Sequence, residues 1–414
     1  MKLVNIPISD FEYTLPDDRI AWFPKEERAA SKLLIYREGE IASAPFVSIT
    51  DNLPENSLIF FNNTRVIEAR IIFQKPTGAR IEVFLLNPAD KTSYEQSMQS
   101  NNSVAWECLI GGASKWKPGQ ILEKKLLGEK GEAILTATYR RKTEDGFVIE
   151  LAWNNPEYIF EEILRFAGNI PLPPYIKRQP QKEDFIRYQT SYAKTPGSVA
   201  APTAGLHFTP EVLKALEKKG IGIQYLTLHV GAGTFRPVKT KYANEHTMHS
   251  ETFIAEKSVI TALLKNQGRK VTAVGTTSMR TLESIYWLGV MIHQHPQIQA
   301  HELRVPQWMP YEEHYPNLSA KTSLEALLKW LTENNLEHCY AETEIMIVPG
   351  YEFKICDILI TNFHQPGSTL LLLVAAFIGD DWKKVYEFAL KNDFRFLSYG
   401  DSSILIPKRN HQAL

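Results

Sequence analysis

Cysteine is scarce in this chain: Cys108, Cys339 and Cys356 are the only three in 414 residues, widely spaced and odd in number. Isolated thiols make neither a disulfide framework nor a zinc pattern, and they point to the reducing cytoplasm. Long apolar runs are missing too. The longest, residues 370–378, falls far short of the ~20 residues a membrane-spanning helix needs. The opening MKLVNIPISDFEYTLP has no apolar stretch leading to a small-residue cleavage site, so no secretory signal is expected. An excess of either charge is also absent. With 46 basic and 47 acidic residues the net charge is -1, which excludes a protein that coats nucleic acid by bulk charge. No internal repeat is apparent, which argues against solenoids and propellers.

What is present reads as an ordinary globular protein, 44% hydrophobic and 22% charged. At roughly 150 residues per domain the length predicts two or three domains. The charge is uneven. Residues 311–345 hold two Lys and seven Glu, a local balance of -5, so the remainder sums to +4. Residues 165–194 hold six basic and two acidic residues among Phe166, Tyr175, Phe185, Tyr188 and Tyr192. Basic residues interleaved with aromatics can read a nucleic acid; a solvated face is the commoner cause of such a run.

Between residues 66 and 153 short alternating runs, RIEVFLL, VAWECLI, AILTATY and GFVIELAW, are separated by Gly, Pro and charged turns. They predict an all-β module. From residue 221 onward, β-rich runs lead into small-residue loops and then helical stretches, which is α/β grammar. Residues 57–61 (SLIFF) resemble these later strands yet precede the β module. The module is therefore expected as an insertion at 66–152 into one α/β domain formed by 1–65 and 153–414. Residues 291–345, rich in His, Pro and Glu with one helix near 323–333, are expected as a surface embellishment.

Ligands of open α/β sheets sit beyond the carboxyl ends of the strands, so the loops there are the first candidates. The segment VTAVGTTSMR at 271–280 puts a glycine at the turn, hydroxyls at the helix start and Arg280 in its first turn. Such a start favours an anion; a plain helix cap with a surface ion pair fits as well. The stretch GSVAAPTAGLHF at 197–208 is nearly all small residues, allowing close approach of a ligand. GAGTFRP at 231–237 lacks the third glycine of a dinucleotide fingerprint and has Pro237 where a helix should start, which disfavours that site. His246, His249 and Glu251 lack the spacing of a zinc helix. His207, His229, His249 and His364 lie near strand or loop ends, where a general acid or base would be placed.

These segments together closely resemble the S-adenosylmethionine:tRNA ribosyltransferase-isomerases of queuosine biosynthesis. The matching stretches are FEYTLPDDRIA, NNTRVIEAR, GNIPLPPYIKR, RYQTSYAKTPGSVAAPTAGLHFT, TLHVGAGTFRPV, MHSE, VGTTSMRTLES, PGYEFKICDILITNFHQPGSTLLLLVAAFIG and FRFLSYGDSSIL, spread from Phe11 to about Leu405. The resemblance implies a three-layer α/β/α domain with an inserted small β-barrel domain. It also implies a reaction without metal or second cofactor. The ribosyl part of S-adenosylmethionine, a consumed co-substrate, passes to 7-aminomethyl-7-deazaguanine at the tRNA wobble position and is isomerised, giving epoxyqueuosine with release of adenine and methionine. This chain departs from the family pattern at Asn63, where Asp is usual, and at Thr247 and Gly367, where Lys is usual. A paralogue acting on another acceptor, or an idle RNA-binding protein of the same fold, stays open.

This chemistry needs a base beside the sulfonium carbon and an acid for the departing adenine. From position alone, His207 and His249 are expected as acid and base, with Glu251 orienting. Thr276, Thr277 and Arg280 are expected at the methionine carboxylate, and Ala201, Pro202, Thr203 and Gly205 against adenine and ribose. For the tRNA, Lys177, Arg178 and Arg187 are expected on phosphates and Arg65 near the domain junction. The protein is expected to be monomeric. Phosphate contacts predict tRNA binding that weakens steeply with salt, log K falling linearly with log salt in a titration.

Overall fold

The computed structural model describes residues 5–408 except 91, 118, 145, 232, 234–237 and 267. The larger of its two main sheets has ten strands, in the order Arg304–Val305, His338–Thr343, Glu251–Glu256, Gly222–Leu228, Leu58–Asn62, Val271–Val274, Ile358–Asn362, Ser402–Ile406, Lys32–Arg37 and Glu40–Pro45. Its centre is parallel: the strands at 222–228, 58–62, 271–274 and 358–362 run the same way. Their carboxyl ends therefore meet along one edge.

The strands at 58–62, 271–274 and 358–362 are buried at every position, as parallel strands covered on both faces must be. Alternate side chains enter different cores. Phe60, Ala273 and Leu359 point one way, into a core shared with the helices Gly275–Gln294, Ala320–Glu333, Thr369–Ile378 and Asp381–Lys391. Ile59, Phe61, Val274, Ile358 and Ile360 point the other way, onto Phe46, Ile49 and the helix Pro210–Lys218. Thr209 caps that helix by accepting from the Val212 N–H, and Pro210 opens it.

Residues 291–345 differ from the surface embellishment expected of them. Leu303, Val305, Met309, Leu324, Leu327 and Leu331 belong to the larger core, and His338–Thr343 pairs with Glu251–Glu256 as a strand of the main sheet. The acidic residues Glu325, Glu333 and Glu337 are exposed, so the charge of this segment lies on the solvent side of an amphipathic layer. The layer packs closely. A Cβ added to Gly289 would lie 2.2 Å from the Ser323 carbonyl oxygen on the facing helix.

The second sheet has seven antiparallel strands, in the order Gly168–Asn169, Arg70–Gln74, Arg80–Pro88, Ser103–Gly111, Phe147–Trp153, Gly131–Lys142 and Leu122–Gly128. All four sequence runs that predicted strands lie in it. Alternating burial along Arg80–Pro88 and Ser103–Gly111 lets one face curl around Phe73, Trp106, Leu135 and Phe160. The result is an open half-barrel, where a closed small barrel was expected. Lys124 bridges the gap with its side chain, Nζ donating to the Ile72 carbonyl at 3.2 Å and the Ala167 carbonyl at 2.8 Å. The chain enters this sheet after Thr64–Val66, which pairs in parallel with Thr195–Ser198.

Replacing Gly289 by Ala is expected to overpack the contact with Ser323 and destabilise the fold by about 1–3 kcal/mol. A lower urea midpoint at unchanged slope is the readout; a midpoint equal to that of the parent protein would show that the two helices separate at no cost.

Candidate functional site

A cleft partly open to solvent, about 700 Å³ with its open mouth included, lies at the carboxyl edge of the parallel strands. One wall is the turn from Val274 into the helix Gly275–Gln294. Gly275 turns the chain with a φ of +89°, a conformation that L side chains disfavour. Val274 occupies the N-cap position and provides no side-chain cap, so the first N–H groups of a 20-residue helix remain available to a ligand. Thr276 and Thr277 line the cleft there, and the Thr277 hydroxyl is buried with no partner in the protein.

The other walls come from 200–204 and from the end of Ile358–Asn362. Ala201, Pro202 and Thr203 line the cleft, and the Thr203 hydroxyl donates to Asn362 Oδ1 at 2.9 Å. His364 Nε2 lies 3.0 Å from the Thr361 hydroxyl, the backbone N–H of His364 donates to Tyr386, and the Tyr13 hydroxyl donates to its carbonyl. Burial lowers the proton affinity of this imidazole. His364 was one of four histidines expected near strand or loop ends, but Thr361, Asn362 and Ser398 were not among the expected site residues, although the loop NFHQPGS follows a strand as the others do. Gly205 lies off the cleft. Its missing side chain accommodates Tyr192, whose hydroxyl would be 1.8 Å from an added Cβ.

Leu370 lines both this cleft and an adjoining recess that holds His246, His249, Glu251 and Arg280. Arg280 was expected at a substrate carboxylate in the cleft; it is buried in the recess and forms an ion pair with Glu251. The second oxygen of Glu251 accepts from the Gly231 N–H at 3.1 Å. Arg280 Nε reaches the Ile345 carbonyl at 3.4 Å, while its NH2 group is buried without a partner. His249 stands against Gly233, where an added Cβ would come within 2.1 Å of the ring. Burial, with His249 second, lowers the proton affinity of His246. No three His, Cys, Asp or Glu side chains among the described residues are arranged to hold a metal ion. Ala232 and residues 234–237, including the Pro237 of the weak dinucleotide pattern, lie outside the described residues.

His207 is not brought together with His249 and Glu251. It lines a third recess with Arg28 and Arg187, where burial pushes its pKa down to about 4. The expected phosphate contacts separate as well. Arg178 is committed to the buried Asp184 by two bonds of 2.7 and 2.8 Å and to the Trp22 carbonyl at 2.9 Å. Lys177 is exposed, 3.7 Å from Asp17. Arg65 pairs with Glu161 at 2.5 Å, between the two sheets. Of the family departures, Asn63 accepts from the Thr227 hydroxyl at 2.8 Å, Thr247 is exposed, and Gly367 has a φ of +61° beside Glu12.

Fold and site together define a mixed α/β protein with an uncapped helix start and a small-residue loop at the carboxyl edge of its sheet. The family model described as queuosine biosynthesis protein matches residues 8–405, and the chain belongs to that family. A relative from Desulfitobacterium hafniense, named S-adenosylmethionine:tRNA ribosyltransferase-isomerase, is 40% identical over 96% of this chain and 99% of its own. One of the same name from Halothermothrix orenii is 37% identical over 96% and 99%. The crystal structure of an S-adenosylmethionine tRNA ribosyltransferase from Thermotoga maritima covers 96% of this chain and 100% of its own, at 27% identity and a TM-score of 0.45.

Two buried imidazoles predict the acid response of the fold. His207 and His229 are both held near pKa 4 by burial, against 6.5 ordinarily. Between those values the unfolded chain binds more protons than the folded one, so stability falls as pH falls through this window, by about 1–3 kcal/mol per group. Urea midpoints measured from pH 7 to pH 4.5 should decline, and His229→Phe, which keeps a ring against Tyr94, should flatten the decline. An unaltered pH dependence in that variant would contradict the assignment.

Proposed function

We infer that the protein is an S-adenosylmethionine:tRNA ribosyltransferase-isomerase. It transfers the ribosyl part of S-adenosylmethionine to 7-aminomethyl-7-deazaguanine at the tRNA wobble position and isomerises it, giving epoxyqueuosine with loss of adenine and methionine. The observation that carries this reading is 40% identity over 96% of the chain to a relative of that name. The cleft is consistent with it. A methionine carboxylate fits the free N–H groups at Thr276 and Thr277, and the Thr277 hydroxyl supplies a donor otherwise without a role. The flat adenine and the ribose fit against Ala201, Pro202 and Thr203, whose small side chains permit contact with the backbone.

Proton transfer is assigned to His249. It lies in the recess that shares Leu370 with the cleft, and the Glu251–Arg280 pair beside it provides a fixed charge environment. Arg280, with its unpartnered NH2 group, is left N–H donors with which to meet a developing negative charge. His207, neutral and in a separate recess, suits binding better than acid catalysis. On the tRNA side, Arg187 and the exposed Lys177 are the candidates for phosphate contact, with Arg65 at the junction of the sheets.

In architectural terms the chain is proposed as a three-layer α/β/α domain, 1–65 and 153–414, carrying a small barrel-like domain at 66–152. It is proposed to act as a monomer. A cytoplasmic setting fits a tRNA substrate and three buried free cysteines. No described helix is long and apolar enough to cross a membrane.

Incubation with S-adenosylmethionine and tRNA bearing the deazaguanine precursor is expected to release adenine and to yield modified tRNA by nucleoside analysis. Adenine release only with a different amine acceptor would identify a paralogue, and RNA binding without turnover would contradict the enzyme assignment. The His249→Ala variant should lose about two to four orders of magnitude in adenine release; a near-normal rate would remove His249 from the mechanism.

A further inference from the structure

The recess that holds His207 is rich in positive charge. Lys25, Arg28 and Arg187 line it, and Ser398 lines both it and the main cleft. The guanidinium groups are held by backbone carbonyls: Arg28 donates to those of Gln189, Leu206 and Ile186, and Arg187 to those of Lys25 and Glu26. Burial first, and the charge of Arg187 second, hold Arg28 below the usual arginine range. The nearby anion is Asp401, whose Oδ1 lies 3.8 Å from Lys25 Nζ. Its oxygens already accept from the N–H groups of Lys32 at 2.9 Å and Arg395 at 2.8 Å. Three cations thus converge where one committed carboxylate stands, an arrangement that an added anion would stabilise.

His207 adds a second requirement. It is 4% exposed, and its Nδ1 lies 3.3 Å from the Arg28 carbonyl oxygen. Because a carbonyl can only accept, Nδ1 carries the proton of the neutral ring, and Nε2 is left as an acceptor. That Nε2 is buried with no partner in the protein, which calls for a hydroxyl donor. Phosphate and hydroxyl side by side describe one chemical unit, the ribose phosphate of RNA, whose 2′-hydroxyl distinguishes it from DNA. Phe23, 49% exposed, and Ile186, 71% exposed, adjoin the lining residues Pro24 and Arg187 in sequence and offer apolar contact to a neighbouring base.

We propose that the Lys25, Arg28 and Arg187 recess binds a ribose-phosphate unit of the RNA, next to the reacting nucleotide that meets the donor at the main cleft, with His207 Nε2 accepting from the 2′-hydroxyl. The proposal rests on the tRNA reading above and adds a built site to it. Ser398 links the two cavities, so an RNA strand threaded past it is held beside the reacting base.

The test measures binding of an anticodon stem-loop by fluorescence anisotropy at several salt concentrations. Arg187→Gln is expected to weaken binding about tenfold and to lower the slope of log K against log salt by about 0.7–0.9, with S-adenosylmethionine binding, measured without RNA, unchanged. Lys25→Gln, whose side chain gives up only the Ala30 carbonyl and the distant Asp401, should act in the same direction and covers the case in which Arg187→Gln does not fold. The parent protein should prefer the ribose stem-loop to its 2′-deoxy counterpart, and His207→Phe should remove that preference. Unchanged affinity and slope in both charge variants, in a parent protein that binds RNA and releases adenine, would overturn the phosphate site alone. A parallel loss of S-adenosylmethionine binding would reassign the recess to the donor and likewise overturn it. A parent protein that neither binds RNA nor releases adenine would instead refute the tRNA reading on which the site rests.

Discussion

Glu251 and Arg280 leave water together, and most of the site is arranged around that event. Removing two charges from solvent costs several kcal/mol per ion, repaid only when geometry and further hydrogen bonds are good. Here the pair joins the first residue of a sheet strand to the second turn of the long buried helix. Glu251 also holds the Gly231 N–H, and Arg280 the Ile345 carbonyl. Four segments remote in sequence are thereby tied at one point beside the cleft. Loss of either partner would strand a buried charge, so the pair fixes its surroundings more strictly than apolar packing would.

The position of the cleft follows from the sheet. Both of its faces are covered, which leaves the carboxyl edge as the place where backbone N–H groups and polar side chains can face a ligand. There the helix starts at 275 and 369 differ in a telling way. Ser368 accepts from the Leu371 N–H at 3.2 Å and closes its own helix end, whereas Val274 leaves the other one open. Two helices that begin side by side thus differ, one end completed internally and the other left without a side-chain cap.

Much of this arrangement could be read from residues alone. SLIFF, VTAV and CDILIT are apolar without alternation, and each runs into a small or hydroxyl-rich loop, so parallel strands with a site at their ends were visible locally. The start of the long helix was less so. GTTS reads as a loop until Met279, but Gly275, Thr276 and Thr277 are already helical. Pairings between distant residues were the hardest to see. Arg178 looked like a phosphate contact because its partner Asp184 needs a folded loop and Tyr399 to become buried. His207 and His249 looked alike in sequence, and only the fold separates them. The glutamates of 311–345 concealed the Leu324, Leu327 and Leu331 stripe that carries this segment into the core.

The smaller sheet has a further property that follows from its gap. Where a closed barrel would join its edges by a ladder of amides, here the Lys124 ammonium is set against two carbonyls and lowered in proton affinity by burial, over apolar packing of Leu122 and Leu126 with Ile71 and Phe73. Amide groups along the free side of Leu122–Gly128 therefore have no ladder protecting them, and hydrogen exchange should begin there before the rest of the sheet. Acylating that amine would remove its charge from the gap while every ladder bond stayed intact, leaving the apolar core beneath to hold the two edges together.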